Sequence, residues 1–298
     1  MMDRVSVVGA FDLHVHSAPC VYPRLADDLT IAEAARDAGL RGMVFKSHHE
    51  ATVGRAAAVN AALTRQNPTP FNTYGSVTLN HALGGINPAA VETALKTGAR
   101  VVWLPTVDSQ GHVDAFGYSG SWDVQGAEFH AQRSAPLTIL AQGALTPQVK
   151  AILSLCQEQG VALATGHLGK AEVVALAQFA RRQRFERLVI THPLFRVPGF
   201  QPEELPELVA PGVFFEFTYC ALSPMWRHTT VEDTVAAIQT VGVEQAYLSS
   251  DGGQTHNPIP HEGLRLLAQM CLEKGLSLGN IRMLIEDTPA RLIGAQPN

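Results

Sequence analysis

The stretch FDLHVHSAPC, residues 11–20, sets Asp12, His14 and His16 at every second position. Side chains of an extended strand alternate between its faces, so this spacing predicts one face with a carboxylate and two imidazoles. Leu13 and Val15 are expected on the other face. A buried imidazole needs a partner, because an unsatisfied polar group inside a protein costs roughly 1–3 kcal/mol. Two imidazoles beside a carboxylate suit a zinc-like divalent ion, held at about 2.0–2.2 Å. The other histidines sharpen the point. Of the 12 in the chain, His48 and His49 end GMVFKSHH, His81 follows SVTLN, His167 ends VALATGH and His192 stands in RLVITHP. Asp251 has the same place in AYLSSDGG. Each lies where a short apolar run stops.

Those runs are the elements that must position the site. VSVVGAFDLHVH, GMVFKSH, FNTYGSVTLN, ARVVWLPT, VALATGH, RLVITHP, VFFEFTY and AYLSSDGG read as eight strands, separated by Ala-rich helical stretches such as TIAEAARDAG, NPAAVETALKTG, TPQVKAILSLCQEQG and KAEVVALAQFARRQ. Thr30 and Thr146 are expected to cap helices, Pro88 and Pro147 to open them, and Gly39, Gly98 and Gly160 to close them. Strands alternating with helices imply parallel pairing and right-handed crossovers. Eight repeats close a (β/α)8 TIM barrel, here read as a single α/β domain over residues 1–298, and no GxGxxG favours a dinucleotide fold. In such a barrel the C-terminal strand ends converge on one mouth, which gathers the histidines. The irregular stretch 107–145 after the fourth strand is too long for a plain connection and reads as an insertion over that mouth, a lid or substrate loop.

Composition bounds the partners. Hydrophobic residues make up 46% and charged residues 16%, as in an ordinary globular protein with a large core. The net charge of −5, without a dense Lys/Arg run, argues against nucleic acid or an anionic membrane as partner. No run reaches the roughly 20 apolar residues of a membrane span, and the N-terminus lacks the core of a cleaved signal. Cys20, Cys156, Cys220 and Cys271 are scattered, so reduced thiols and a cytoplasmic location are expected. The expected partner is a small-molecule substrate, and the chain is expected to form a homo-oligomer.

The joint pattern of HxH, GH, THP and SDGG on the first, fifth, sixth and eighth runs resembles the amidohydrolase superfamily of metal-dependent hydrolases. IEDTPARLIG near the C-terminus is similar to the closing helix of that superfamily, with Asp287-Thr288 where Asn is usual. KSHHEAT, LNHALGGINPAAVE, VVWLPT and TGHLGKAE resemble, more narrowly, a bacterial family of amidohydrolase-like proteins without a known substrate. The resemblance implies one or two divalent ions, zinc or else manganese, held by His14, His16, His167, His192 and Asp251. Many two-metal relatives add a carbamylated lysine from the fourth strand. Here that strand ends WLPTVD without lysine, and Lys46 of the second run is the available substitute. DLHVHS also resembles the opening motif of the polymerase and histidinol phosphatase family, which has a distorted barrel, usually of seven strands. The eighth run and the closing helix favour the amidohydrolases.

The chemistry implied is attack by a metal-activated water on an amide, lactam, lactone or ester, with Asp251 as proton shuttle and His48 as the alternative base. Metal-assisted decarboxylation, phosphoester hydrolysis and an inert metal-containing barrel that binds a ligand are the other readings. His48, His81, Arg196 and Tyr219 are expected against substrate, Arg196 either through its planar fork on a carboxylate or in a surface salt bridge. Glu216, inside VFFEFTY, needs a partner and is read as a support to the site or a structural ion pair. Trp103 and the Phe pair of the seventh run read as core.

Overall fold

The computed structural model describes residues 4–66, 70–120, 122 and 135–295. Every apolar run becomes a strand: β1 (Phe11–Val15), β2 (Gly42–Phe45), β3 (Asn72–Tyr74, resuming as Ser76–Thr78), β4 (Val101–Trp103), β5 (Ala162–Ala164), β6 (Leu188–Ile190), β7 (Val213–Thr218) and β8 (Ala246–Ser249). Successive strands pair in parallel around the ring. β3 breaks at Gly75, its first half pairing with β2 and its second with β4. A Cβ at Gly75 would lie 2.3 Å from Val53 Cα, so only glycine admits this crossing. β1 meets β8 through a parallel bridge of Val15 with Gly252, where His16 N donates to Gly252 O at 2.8 Å. This closes a (β/α)8 barrel, with eight strand positions rather than seven.

Alternation along the strands sorts the core into two layers. Phe11, Leu13, Val44, Trp103, Ala164 and Tyr247 fill the barrel interior, plugged below by Ala290, Leu292 and Ile293. Met43, Phe45, Val102, Leu163, Ile190 and Phe215 face outward against the helices. Near-continuous apolar runs are what strands buried on both faces require. The helices include α1 (Asp28–Asp37), α2 (Val53–Gln66), α3 (Pro88–Lys96), α4 (Gln110–Phe116), α5 (Pro147–Gln159), α6 (Lys170–Arg182), α7 (Tyr219–Leu222), α8 (Val231–Val241) and α9 (Pro260–Glu273). After β6 a 3-10 segment, Pro202–Leu208, stands in place of a full helix. Thr146 caps α5 by accepting from Val149 N, and Gly160 ends it at φ +61°.

Two expectations need correction. Asp27, not Thr30, caps α1, its Oδ1 accepting from Thr30 N at 2.7 Å. β1 does not alternate regularly, because its register against β2 slips between Asp12 and Val15. Such a bulge re-aims side chains. Leu13 therefore lies in the interior and Val15 in the outer layer, so the two share no face. The stretch 107–145 holds α4 and a small antiparallel ribbon, Leu140–Ala141 with Ala144–Leu145. The rest of the reading of a lid falls on residues 121 and 123–134, which lie outside the described residues.

Candidate metal centre

At the mouth, β1 and β8 bring three donor groups together. His14 Nε2 lies 3.1 Å and His16 Nε2 3.2 Å from Asp251 Oδ1. Ligand atoms at about 2.0–2.2 Å from one ion, at tetrahedral to octahedral angles, stand roughly 3.0–3.5 Å apart. His14 and His16 each stand at that spacing from Asp251, and the three buried donors lie within 4.8 Å of one another, so the set fits a small divalent cation. Backbone strain accompanies it: Asp251 has φ +45° and His192 φ +28°, in the region that side chains rarely adopt. Gly253 holds the loop close, since a Cβ there would lie 1.9 Å from His16 O.

The neighbours of each imidazole fix its proton. Both oxygens of Glu216, itself fully buried, lie 3.2 Å from His14 Nδ1, and Ser249 Oγ donates to Glu216 Oε1 at 2.7 Å. Nδ1 of His14 therefore carries hydrogen and Nε2 keeps its lone pair. That lone pair meets Lys46 Nζ at 2.8 Å, and the amine sits 4.4 Å from the centre of the Trp103 ring. His16 differs. Its Nδ1 faces Arg24 Nη2 at 3.2 Å, and a guanidinium only donates, so here Nε2 of His16 carries the proton toward Asp251. Ligation through His16 Nε2 requires that proton to move to Nδ1 and the guanidinium to leave it.

Burial sets the charge states. It pushes His14 and His192 down to about 3, and His16, His48 and His167 well below the ordinary 6.5. All five are neutral at pH 7, the form that ligates metal. Burial also pushes Lys46 down to about 8, against the pull of Asp251 and Glu216. It raises the carboxyls of Asp251 and Glu216, and that of Asp12 to about 7.

A cleft of ≈740 Å³, counted out to open solvent, opens above these groups, and His16, Lys46, His48, His167, His192 and Asp251 line it. His167 and His192 face each other with ring centres 5.2 Å apart, outside the tight three-residue group. His48 Nδ1 lies 2.8 Å from Thr106 Oγ1, which accepts from Asn80 Nδ2. Thr106 and Asn80 thus hold the His48 ring at the wall of the cleft. His49 packs beside Tyr22 and His48.

The remaining sequence candidates stand elsewhere. His81 Nε2 meets Ala135 O at 3.0 Å, and Tyr219 packs on Gly263 of α9. Arg196 is exposed, with its guanidinium 4.8 Å from the Phe116 ring centre. Asp12 does not join the centre: its Oδ1 accepts from His14 N and Ser250 N. Sequence reasoning missed Arg24, His112, Trp122 and Trp226. His112 Nδ1 lies 3.1 Å from His167 Nδ1, and a histidine inside a suspected lid was the available signal. All four cysteines are free. No helix among the described residues is long and apolar enough to cross a membrane.

Solved structures share this fold. An amidohydrolase from Pseudomonas aeruginosa superposes with TM-score 0.64 at 14% identity, covering 95% of each chain. Dihydroorotase from Saccharomyces cerevisiae, in complex with 5-fluoroorotic acid, gives 0.62 at 12% identity over 99% of this chain and 86% of that one. A 2,6-dihydroxybenzoate decarboxylase gives 0.51 at 12%, over 97% and 99%. No curated protein matches by sequence. A sequence model of a family of unknown function matches residues 9–216. The fold is that of the amidohydrolases.

Proposed function

The chain belongs to DUF6282, a family of unknown function, and we propose that it is a metal-dependent hydrolase of the amidohydrolase superfamily. One observation carries this reading: His14 Nε2, His16 Nε2 and Asp251 Oδ1 meet at coordination spacing on buried strand ends. In it these three residues hold a divalent ion, zinc in kind, and His167 and His192 complete the site. The substrate is a small molecule with an amide, lactam, lactone or ester bond. A divalent ion bound there supplies Lewis-acid polarisation and activation of water near neutral pH.

The chain's own groups do the rest. Asp251 takes a proton from the attacking water and returns it to the leaving group. His48 lines the cleft, where its imidazole can donate to the carbonyl oxygen as charge develops on it. Glu216 keeps the His14 proton on Nδ1 and so keeps Nε2 aimed at the centre. Lys46 is the group in conflict, because an ammonium beside a divalent cation is repelled. Reaction with carbon dioxide would turn it into an anionic carbamate, with the released proton passing to solvent.

The test is elemental analysis of protein prepared without chelator, beside the variant His14→Ala/His16→Ala. Wild type should carry divalent metal and the variant little. Equal metal content in both would overturn the reading. Assay of metal-loaded protein on amides, lactams, lactones and phosphoesters then names the bond cleaved, and carbon dioxide release would assign decarboxylation instead.

A further inference from the structure

Among the described residues, one cation in the cleft has no anion. Arg24 is fixed at the rim by backbone pairing: Leu25 N donates to Gly253 O at 2.8 Å, and Arg24 bridges Gln254 antiparallel. Among the described residues its Nη2 meets His16 Nδ1, and its Nε is buried without a partner. No carboxylate lies within ion-pair distance of it among the described residues. Other partly buried arginines are matched, Arg55 by Asp28 and Arg265 by Glu262. A buried guanidinium N–H without an acceptor is costly and calls for one. Among the described residues the carboxylate that lines the cleft is Asp251, and its Oδ1 faces His14 and His16. Arg24 is thus a fixed charge at the rim that attracts anions.

The walls say what kind of anion. Trp122 and Trp226 stand 5.6 Å apart at 60°, and Phe195 and Trp226 6.0 Å apart at 61°. Trp226 Nε1 is a second buried donor without an acceptor. Rings set edge to face offer flat apolar walls, and the cleft mixes them with a few convergent polar groups as small-molecule sites do. We propose that the substrate is a small planar carboxylate, its carboxylate bound by Arg24 and its ring held by Phe195, Trp122 and Trp226. This rests on the cleft being the active site. A single planar fork matches a carboxylate, and among the described residues that line the cleft Arg24 is the one arginine, not a cluster of the kind that phosphate esters engage.

The probes are benzoate, benzamide, acetate and phenyl phosphate, titrated into the full chain, both zinc-loaded and chelator-treated. Binding is followed by tryptophan fluorescence and calorimetry. Benzoate should bind at least tenfold more tightly than benzamide, which lacks the charge, and than acetate, which lacks the ring. Arg24→Gln should weaken benzoate at least tenfold and leave benzamide within twofold. Arg24→Lys, which keeps the charge but not the fork, should lie between and serves if the glutamine variant does not fold. Equal binding of benzoate and benzamide, or undiminished benzoate binding in the Arg24 variants, overturns the proposal. So does acetate as tight as benzoate, or phenyl phosphate tighter than it. Metal content is measured on the same samples. A carboxylate preference without bound metal refutes the metal reading alone, and bound metal without that preference refutes this proposal alone.

Discussion

Glu216→Gln removes one charge from a fully buried position while keeping the shape of the side chain. Glutamine Oε1 can still accept from His14 Nδ1, so the imidazole keeps its tautomer and loses only the charge that strengthens the bond. Hydrogen bonds to charged groups contribute about 1.5–3 kcal/mol and neutral ones about 1, a loss of roughly 0.5–2 kcal/mol. At about 1.4 kcal/mol per tenfold, metal affinity should fall roughly 2–30-fold. The 3.2 Å contacts are long, which places the expectation near tenfold. That agrees with the roughly 10–100-fold typical of groups that orient a metal ligand. The assay is zinc competition against a chromophoric chelator, with melting curves of the metal-free protein as a control on folding. Unchanged zinc affinity in a folded variant would refute the idea that Glu216 tunes His14, and would leave it a structural partner of Ser249.

Asp251→Asn keeps one coordinating oxygen but no base, so turnover on an identified substrate should fall about 10²–10⁴-fold while most metal stays bound; turnover within a few-fold of wild type would move the base to His48. High-resolution density of metal-loaded protein should show a carbamate on Lys46; a bare amine more than about 3.5 Å from any metal would leave Lys46 to bind substrate. Chelator-treated protein should lose stability as pH falls from about 6.5 toward 3. Unfolded histidines take up protons near 6.5, whereas burial keeps folded His14 and His192 unprotonated to about 3, so the unfolded state binds more protons across that window. The raised carboxyls of Asp12, Asp251 and Glu216 act in the opposite sense, Asp12 between 3.8 and about 7, but the buried imidazoles of His14, His16, His48, His167 and His192 outnumber them. A melting temperature at pH 4.5 equal to that at pH 7.5 would show that folded histidines protonate freely.

The barrel was legible because its strands are buried on both faces. Runs such as RLVIT and VFFEF then stay apolar throughout, and the helices between them carry their own punctuation, as Thr146, Pro147 and Gly160 do around α5. The gathering of His48, His167, His192 and Asp251 was legible for a related reason. In a closed ring, the last position of a run maps onto one mouth whatever its distance along the chain. Loop residues have no such map. Arg24 reaches the cleft because Leu25 pairs with Gly253, a contact between distant segments with no periodic signature. Arg196 looked the better carboxylate ligand because it follows the THP motif. The turn beyond His192 instead lays its guanidinium over Phe116.

The bulge in β1 was hidden in the same way, and the centre depends on it. In a regular strand with Leu13 turned inward, His14 would face the helices. The register slip lets consecutive residues both turn in, Leu13 to the interior floor and His14 to Glu216 and Asp251 above it. Asp12, grouped by spacing with the histidines, holds the irregularity instead of a metal. Its Oδ1 accepts from His14 N at 3.3 Å and from Ser250 N at 3.0 Å, tying the bulge to the strand that delivers Asp251. Regular alternation would predict three ligands from β1. The bulge leaves two, and turns the third into the brace that joins them to β8.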